Sequence, residues 1–277
     1  MSSAHASPSA GSQWRVLATL KGRVGGIVLD GRGHLFAVES FDDHVAELTL
    51  QGSVVAEWGA TGSRPGQLSQ PVRAAVDSQG NVYVTDSKNN RVRKFTADGK
   101  PLAQWGGPGA GPGQFNFPIG VAVDAGGDVF VSEFGNSRVQ KLSPSGAPIA
   151  AWPIDGASDL ALDTKGDVWV AEAFAGNYVH ELSPSGAEIV RLGGSGPGTG
   201  QFNEPRGIQF DGQGDVFVGD NGNNRIVKLN PAGQFAAQWK GPADAPFPEQ
   251  TDIALSPDGM LYVSDGTRIL TRCIATC

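Results

Sequence analysis

PVRAAVDSQGNVYVTDSKNNRVRKFTADGKPLAQW, residues 71–105, decides the fold, because the chain repeats it. Residues 118–152 read PIGVAVDAGGDVFVSEFGNSRVQKLSPSGAPIAAW, and residues 205–239 read PRGIQFDGQGDVFVGDNGNNRIVKLNPAGQFAAQW. Looser copies occupy 24–58, 157–192 and 250–277. Self-similarity at a period of about 20–50 residues marks a repeat architecture. Each copy holds four apolar-rich runs separated by turns, which is one four-stranded blade. The aspartate closing the first run recurs as Asp30, Asp77, Asp124, Asp163 and Asp211, with Ser256 in the sixth copy. Three residues later stands Gly33, Gly80, Gly127, Gly166, Gly214 or Gly259, a residue that takes positive φ in a tight turn without steric cost. Gly52, Gly99, Gly146, Gly186 and Gly233 repeat the device between the third and fourth runs. Trp58, Trp105, Trp152 and Trp239 end fourth runs, where large rings fill the wedges between blades.

The sixth copy runs out of chain after its third run. The missing strand is available in Trp14–Leu20, and pairing it there closes the ring and covers an open edge. The sequence therefore predicts an all-β chain, one six-bladed β-propeller over residues 13–277, with residues 1–12 as a disordered lead-in.

Composition agrees with this and narrows the partners. The 277 residues include 40 Gly and 18 Pro, suited to many short strands and tight turns. The net charge of -7 opposes polyanions and makes nucleic acid an unexpected partner. No run approaches the roughly 18 apolar residues of a membrane helix, so no membrane partner is expected. Met1–Gln13 lacks the basic and apolar regions of a signal peptide, which predicts a cytoplasmic monomer if the chain is whole. Cys273 and Cys277 would stand about 13 Å apart in an extended strand, beyond disulfide reach, and are expected to be free thiols, with pairing after a terminal bend as the alternative.

The pattern V-D-x-x-G-x-V-[YF]-V-x-[DE] followed by N-x-R-[IV]-x-K-[FL] resembles NHL repeats. The linking loops RPGQLSQP (64–71), GPGQFNFP (111–118) and GTGQFNEP (198–205) strengthen the resemblance. It implies a propeller but no single function. Similar chains include sensor domains of bacterial receptor kinases, RNA- and protein-binding modules and the zinc-dependent peptidylglycine amidating lyase; the streptogramin lyases look similar but have seven blades. The amidating-lyase resemblance implies zinc held by histidines of several blades. His5, His34, His44 and His180 fall where no three can meet at the top of the channel.

Candidate site residues are those at which the copies disagree. Four residues before the first-run aspartate position, three copies carry Gly26, Gly120 and Gly207, and the alternate three carry Arg73, Asp159 and Asp252. These point at one another near the channel mouth. There they can bind an anion or zwitterion, hold calcium or magnesium through Asp159 and Asp252, or tie blades together; no cofactor is required. As substitutes at small or Arg consensus positions they are expected to contribute less to stability than the regular Asp–Arg pairs. A second ring consists of Glu39, Asp86, Glu133, Glu172, Asp220 and Asp265, followed five residues on by Arg91, Arg138 and Arg225 in the second, third and fifth copies. His44 in the first copy and, after one inserted residue, Tyr178 in the fourth replace that arginine, which leaves Glu39 and Glu172 freer to act on a ligand. Phe41, Phe134, Phe174 and Arg206 stand nearby and are taken as ligand-binding. The copies lacking the arginine also lack the PGQ loop, and the coincidence of these departures predicts an off-centre pocket on the top face.

Three functions fit. The first is a module that binds a small molecule, peptide or glycan at the channel mouth. The second is a lyase, hydrolase or isomerase using His44, Tyr178, Glu39 and Glu172 as catalytic acid–base groups. Nucleic-acid binding ranks last on charge.

Overall fold

A computed structural model describes residues 13–242, 247 and 251–274. Six four-stranded antiparallel sheets form the six blades of the predicted ring. Blade one spans 24–59, blade two 71–106, blade three 118–153, blade four 157–193 and blade five 205–240. Blade six takes Ile253–Leu255, Met260–Asp265 and Arg268–Cys273, and its outer strand is Arg15–Thr19 from the other end of the chain. The closing pair is antiparallel, with Arg15 opposite Thr271 and Thr19 opposite Arg268. Ala18 and Leu20 are buried among Val24, Ile27, Tyr262 and Ile269, so the seam between blades six and one has an apolar core. Residues 1–12, expected to be disordered, lie outside the described residues.

The tryptophans fill the wedges as expected. Trp58 packs with Val82, Val84 and Phe95 of blade two, and Trp105 stacks on Tyr83 at 5.7 Å while clustering with Val121, Val129 and Val131 of blade three. These rings explain more about the turn glycines than the turns do. Gly99, Gly146 and Gly186 have φ of 79°, 85° and 87°, and each also lies flat against the tryptophan of the preceding blade, where a Cβ would overlap the indole. Conformation and packing both demand glycine there.

Cys273, expected to be a free thiol, is disulfide-bonded. The third strand of blade six ends at Cys273. Cys277 lies outside the described residues. Among the described residues, no helix is long and apolar enough to cross a membrane.

Candidate functional site

The first strand of each blade lines the channel, and in blades one to five its pairing with the second strand is interrupted near the top. In blade two the register jumps between Pro71 and Ala74, and in blade three between Pro118 and Val121. Such a bulge re-aims side chains that strict alternation would send to opposite faces. Backbone groups freed from the ladder are recaptured by hydroxyls of the second strand. Arg73 N donates to Thr85 Oγ1 at 3.0 Å, Gly120 N to Ser132 Oγ at 2.8 Å and Asp252 N to Ser264 Oγ at 2.7 Å.

Two layers of side chains result. In the lower layer Arg73, Asp159 and Asp252 meet, with Arg73 Nε 3.4 Å from Asp159 Oδ2 and 3.6 Å from Asp252 Oδ2. Arg73 also donates to the Gly25 carbonyl, and Asp252 Oδ2 accepts from Ile27 N at 2.8 Å. The alternating glycines make room for these groups. A Cβ on Gly120 would stand 3.0 Å from Asp159 Oδ1, and one on Gly207 would stand 2.8 Å from Asp252 Oδ1. This layer is a plug and not an open mouth, because the three charged residues are only 4–6% exposed. The cation between the two carboxylates is the Arg73 guanidinium.

Burial pushes the Asp159 carboxyl up to about 7, against the pull of Arg73 and with help from the charge of Asp252. Burial raises Asp252 as well. A carboxyl raised in the folded state keeps a proton that the unfolded chain releases. Its stabilising contribution is complete below the unfolded value of 3.8 and is lost as pH rises through about 7. Stability should therefore fall as pH rises from about 4 to about 7, by up to about 1.4 kcal/mol per pH unit, and level off above that. Asp159→Asn, which mimics the protonated carboxyl, should flatten that slope in a series of thermal melts. An unchanged slope would place the titration elsewhere.

The upper layer comes from the residues one position earlier on the same strands. Val72, Ile119, Ser158 and Arg206, with Ser40, Gln70, Phe117, Phe134 and Phe174, enclose a cavity of about 140 Å³ floored by Arg73. Phe134 and Phe174 meet edge to face at 5.0 Å, and the Arg206 guanidinium lies 4.8 Å over the Phe174 ring. Arg206 Nη2 donates to Glu204 Oε2 at 3.1 Å. Gln70, Phe117 and Glu204, each preceding a first-strand proline, hold left-handed φ of 49°, 51° and 51°. Their backbone N–H groups donate to Asp43, Asn90 and Asn177 of the preceding blade at 2.6, 2.8 and 2.6 Å, which fixes the wall positions of Gln70 and Phe117. Ser40 Oγ is buried and makes no hydrogen bond.

Four expected residues, Arg73, Phe134, Phe174 and Arg206, thus line the cavity. Phe41 does not; it is 61% exposed, with Arg23 stacked 5.9 Å away. The acid–base group does not assemble either, since its two halves sit on opposite blades of the ring, one and four, outside the cavity. Nor are its carboxylates freed. Glu39 Oε1 lies 2.9 Å from His44 Nε2, and Glu39 Oε2 accepts from Gly22 N at 2.5 Å. Glu172 Oε2 lies 2.6 Å from His180 Nε2, so a histidine of the blade's third strand is its partner. Tyr178 instead packs under the Arg191 guanidinium at 5.3 Å.

The missing arginine and the missing loop are one change, not two. Arg91 donates from Nε to Asp86 at 2.6 Å and from its other nitrogens to the Ser63 and Gln67 carbonyls of the PGQ loop. Arg138 and Arg225 bind their own loops in the same way. A blade without the loop has no carbonyls for the guanidinium to satisfy. The shared departures of blades one and four therefore do not mark a pocket, and the cavity draws Phe117, Ile119 and Phe134 from regular blade three.

The NHL repeat family model matches residues 68–95, 115–142 and 202–229, within blades two, three and five and their leading loops. The chain is a six-bladed β-propeller with NHL repeats in three of its blades. It is 31% identical over 113 residues to human NHL repeat-containing protein 3, covering 39% of this chain and 32% of that protein. Over 131 residues it is 33% identical to rat peptidylglycine alpha-amidating monooxygenase, covering 42% of this chain and 13% of that protein. The chain thus spans a third or less of these curated relatives. A gluconolactonase from Xanthomonas campestris superposes with a TM-score of 0.72 at 15% identity, over 95% of this chain and 89% of that one. A streptogramin B lyase superposes with a TM-score of 0.67 at 14% identity, over 94% and 96%. At such identities these structures share the fold.

Proposed function

We propose that the chain is a binding module whose top-face cavity takes one ring-sized apolar group bearing an acid, presented by a small molecule or a peptide side chain. The carrying observation is the cavity itself, with aromatic walls, Arg206 in the rim and a buried Ser40 hydroxyl without a partner. A volume of about 140 Å³ matches a benzene-sized guest, because engineered apolar cavities of about 150 Å³ take benzene. Phe134 and Phe174 offer the edges and faces a ring prefers. Arg206 supplies positive charge for a carboxylate, and Ser40 supplies a hydrogen bond otherwise unmade.

The lyase, hydrolase or isomerase reading retains one supporting feature, the raised Asp159 carboxyl close below the cavity. Asp159 is not among the cavity walls, whereas the Arg73 side chain is. Binding is therefore the better supported reading.

Equilibrium titration with phenylacetate and its uncharged amide tests the proposal. Phenylacetate should bind more tightly than the amide, and Arg206→Gln should erase that preference. Phe174→Ala should weaken both probes about tenfold, consistent with removing an aromatic wall worth 0.5–1.5 kcal/mol beyond its area. Equal binding of both probes to the Phe174→Ala variant and the parent chain would contradict it.

A further inference from the structure

We infer that Glu39, His44 and Glu57, on the top rim of blade one and outside the cavity, form a site for a single divalent transition-metal ion such as Zn²⁺. The regular blades show what normally fills this place. In blade two the Arg91 guanidinium joins Asp86 at 2.6 Å to Gln104 Oε1 at 3.2 Å, and in blade five Arg225 joins Asp220 at 2.6 Å to Gln238 Oε1 at 2.9 Å. Strand register puts Glu39, His44 and Glu57 at the same three positions of blade one. Two things have changed together: the cation has become an imidazole, and the neutral amide has become a second carboxylate. Two negative charges now face a shorter side chain that carries at most one positive charge.

His44 Nδ1 lies 3.2 Å from the Asp42 carbonyl, and Nε2 lies 2.9 Å from Glu39 Oε1. A neutral ring has one N–H. With it on Nδ1, facing the carbonyl, Nε2 turns its lone pair to the side of the two carboxylates, where a metal ion would sit. A ring N–H held by a backbone carbonyl is also how metal-binding histidines are oriented. One ligand atom from each of the three residues lies within 4.8 Å of the others. Tetrahedral zinc with bonds of about 2.0–2.1 Å separates neighbouring ligand atoms by about 3.4 Å, so Nε2 and Oε1 need part by only a few tenths of an ångström. One imidazole nitrogen and two carboxylate oxygens suit Zn²⁺ better than the all-oxygen shell calcium prefers. The absence of a PGQ loop ahead of blade one leaves His44 20% exposed and Glu57 exposed, so the ion has a route in and a position open to water.

Isothermal titration of the full chain with Zn²⁺, in a His5→Ala background that removes the tail histidine, tests this. One ion per chain should bind. His44→Arg restores the guanidinium of the sibling blades, so it should keep the melting transition while weakening binding at least 100-fold; Glu57→Gln should weaken it about 10–100-fold. Asp167→Asn, in the bottom-face group Asp163, Asp167 and Glu181, should leave it unchanged. The site is disproved if the parent chain takes up no Zn²⁺ at millimolar concentration. It is also disproved if either the His44 or the Glu57 variant binds as tightly as the parent.

Discussion

A chain beginning at residue 21 should fail to hold the ring together. The lost segment contributes the outer strand of blade six, paired from Arg15 to Thr19 with Thr271 to Arg268. It also contributes buried Ala18 and Leu20, and Trp14, whose indole donates to the Lys240 carbonyl at 2.8 Å and meets Phe247 edge on at 5.4 Å. At about 1.5–3 kcal/mol for each large apolar side chain buried, the segment supplies roughly 5 kcal/mol before any ladder hydrogen bond is counted. That is comparable to the whole net stability of many domains, about 5–15 kcal/mol. The truncated chain should therefore be insoluble or melt far below the full chain, because it also bares an edge strand able to recruit other molecules. Deleting residues 1–12 alone should leave the melting temperature unchanged. Circular dichroism melts of the two truncations decide the matter, and a chain starting at residue 21 that melts like the full one would refute closure by the N-terminal strand.

Arg73→Ala should be the most damaging single substitution in the channel. Removing one partner of a buried ion pair typically costs about 3–5 kcal/mol, and here it strands two carboxylates, Asp159 and Asp252, at 6% and 5% exposure. The sequence suggested the opposite, because substitutes for consensus glycines look dispensable. Burial reverses that expectation: each charged group fills the space left by a glycine of the adjoining blade, and each is stabilised chiefly by the others. Urea titrations at pH 7.5 should show the loss. The triple variant Arg73→Met, Asp159→Asn, Asp252→Asn should regain much of it, since neutral groups of similar size carry no stranded charge. If Arg73→Ala unfolds at the same urea concentration as the parent chain, the plug is not a stabilising network.

The ring, its blade count and its closure were legible in the sequence, because the repeated Asp–Gly turns and the truncated sixth copy are direct consequences of backbone geometry. The trio of Arg73, Asp159 and Asp252 was legible too, since equivalent positions in a closed ring must converge. What escaped was anything that depends on the bulge at the top of the first strand. Strict alternation allows one ring of channel residues, so Val72, Ile119 and Ser158 went unnoticed beside their neighbours, although all three line the cavity. Gln70 and Phe117 were hidden in loops, yet their place before a first-strand proline was a usable signal. Pairing across turns was misjudged for a related reason. Tyr178 follows the inserted residue of blade four, and the carboxylate it was expected to free, Glu172, is taken by His180 two residues farther along the strand.

The most direct test of the top-face site is a crystal structure of the protein soaked with phenylacetate. The ring should pack against the Phe134–Phe174 pair within the cavity that Arg73 also lines, with its carboxylate toward Arg206 and the Ser40 hydroxyl in contact with the guest. A ring bound instead in the groove between blades six and one, lined by Leu29, Leu50 and Leu255, would contradict the assignment, as would an empty cavity at saturating ligand.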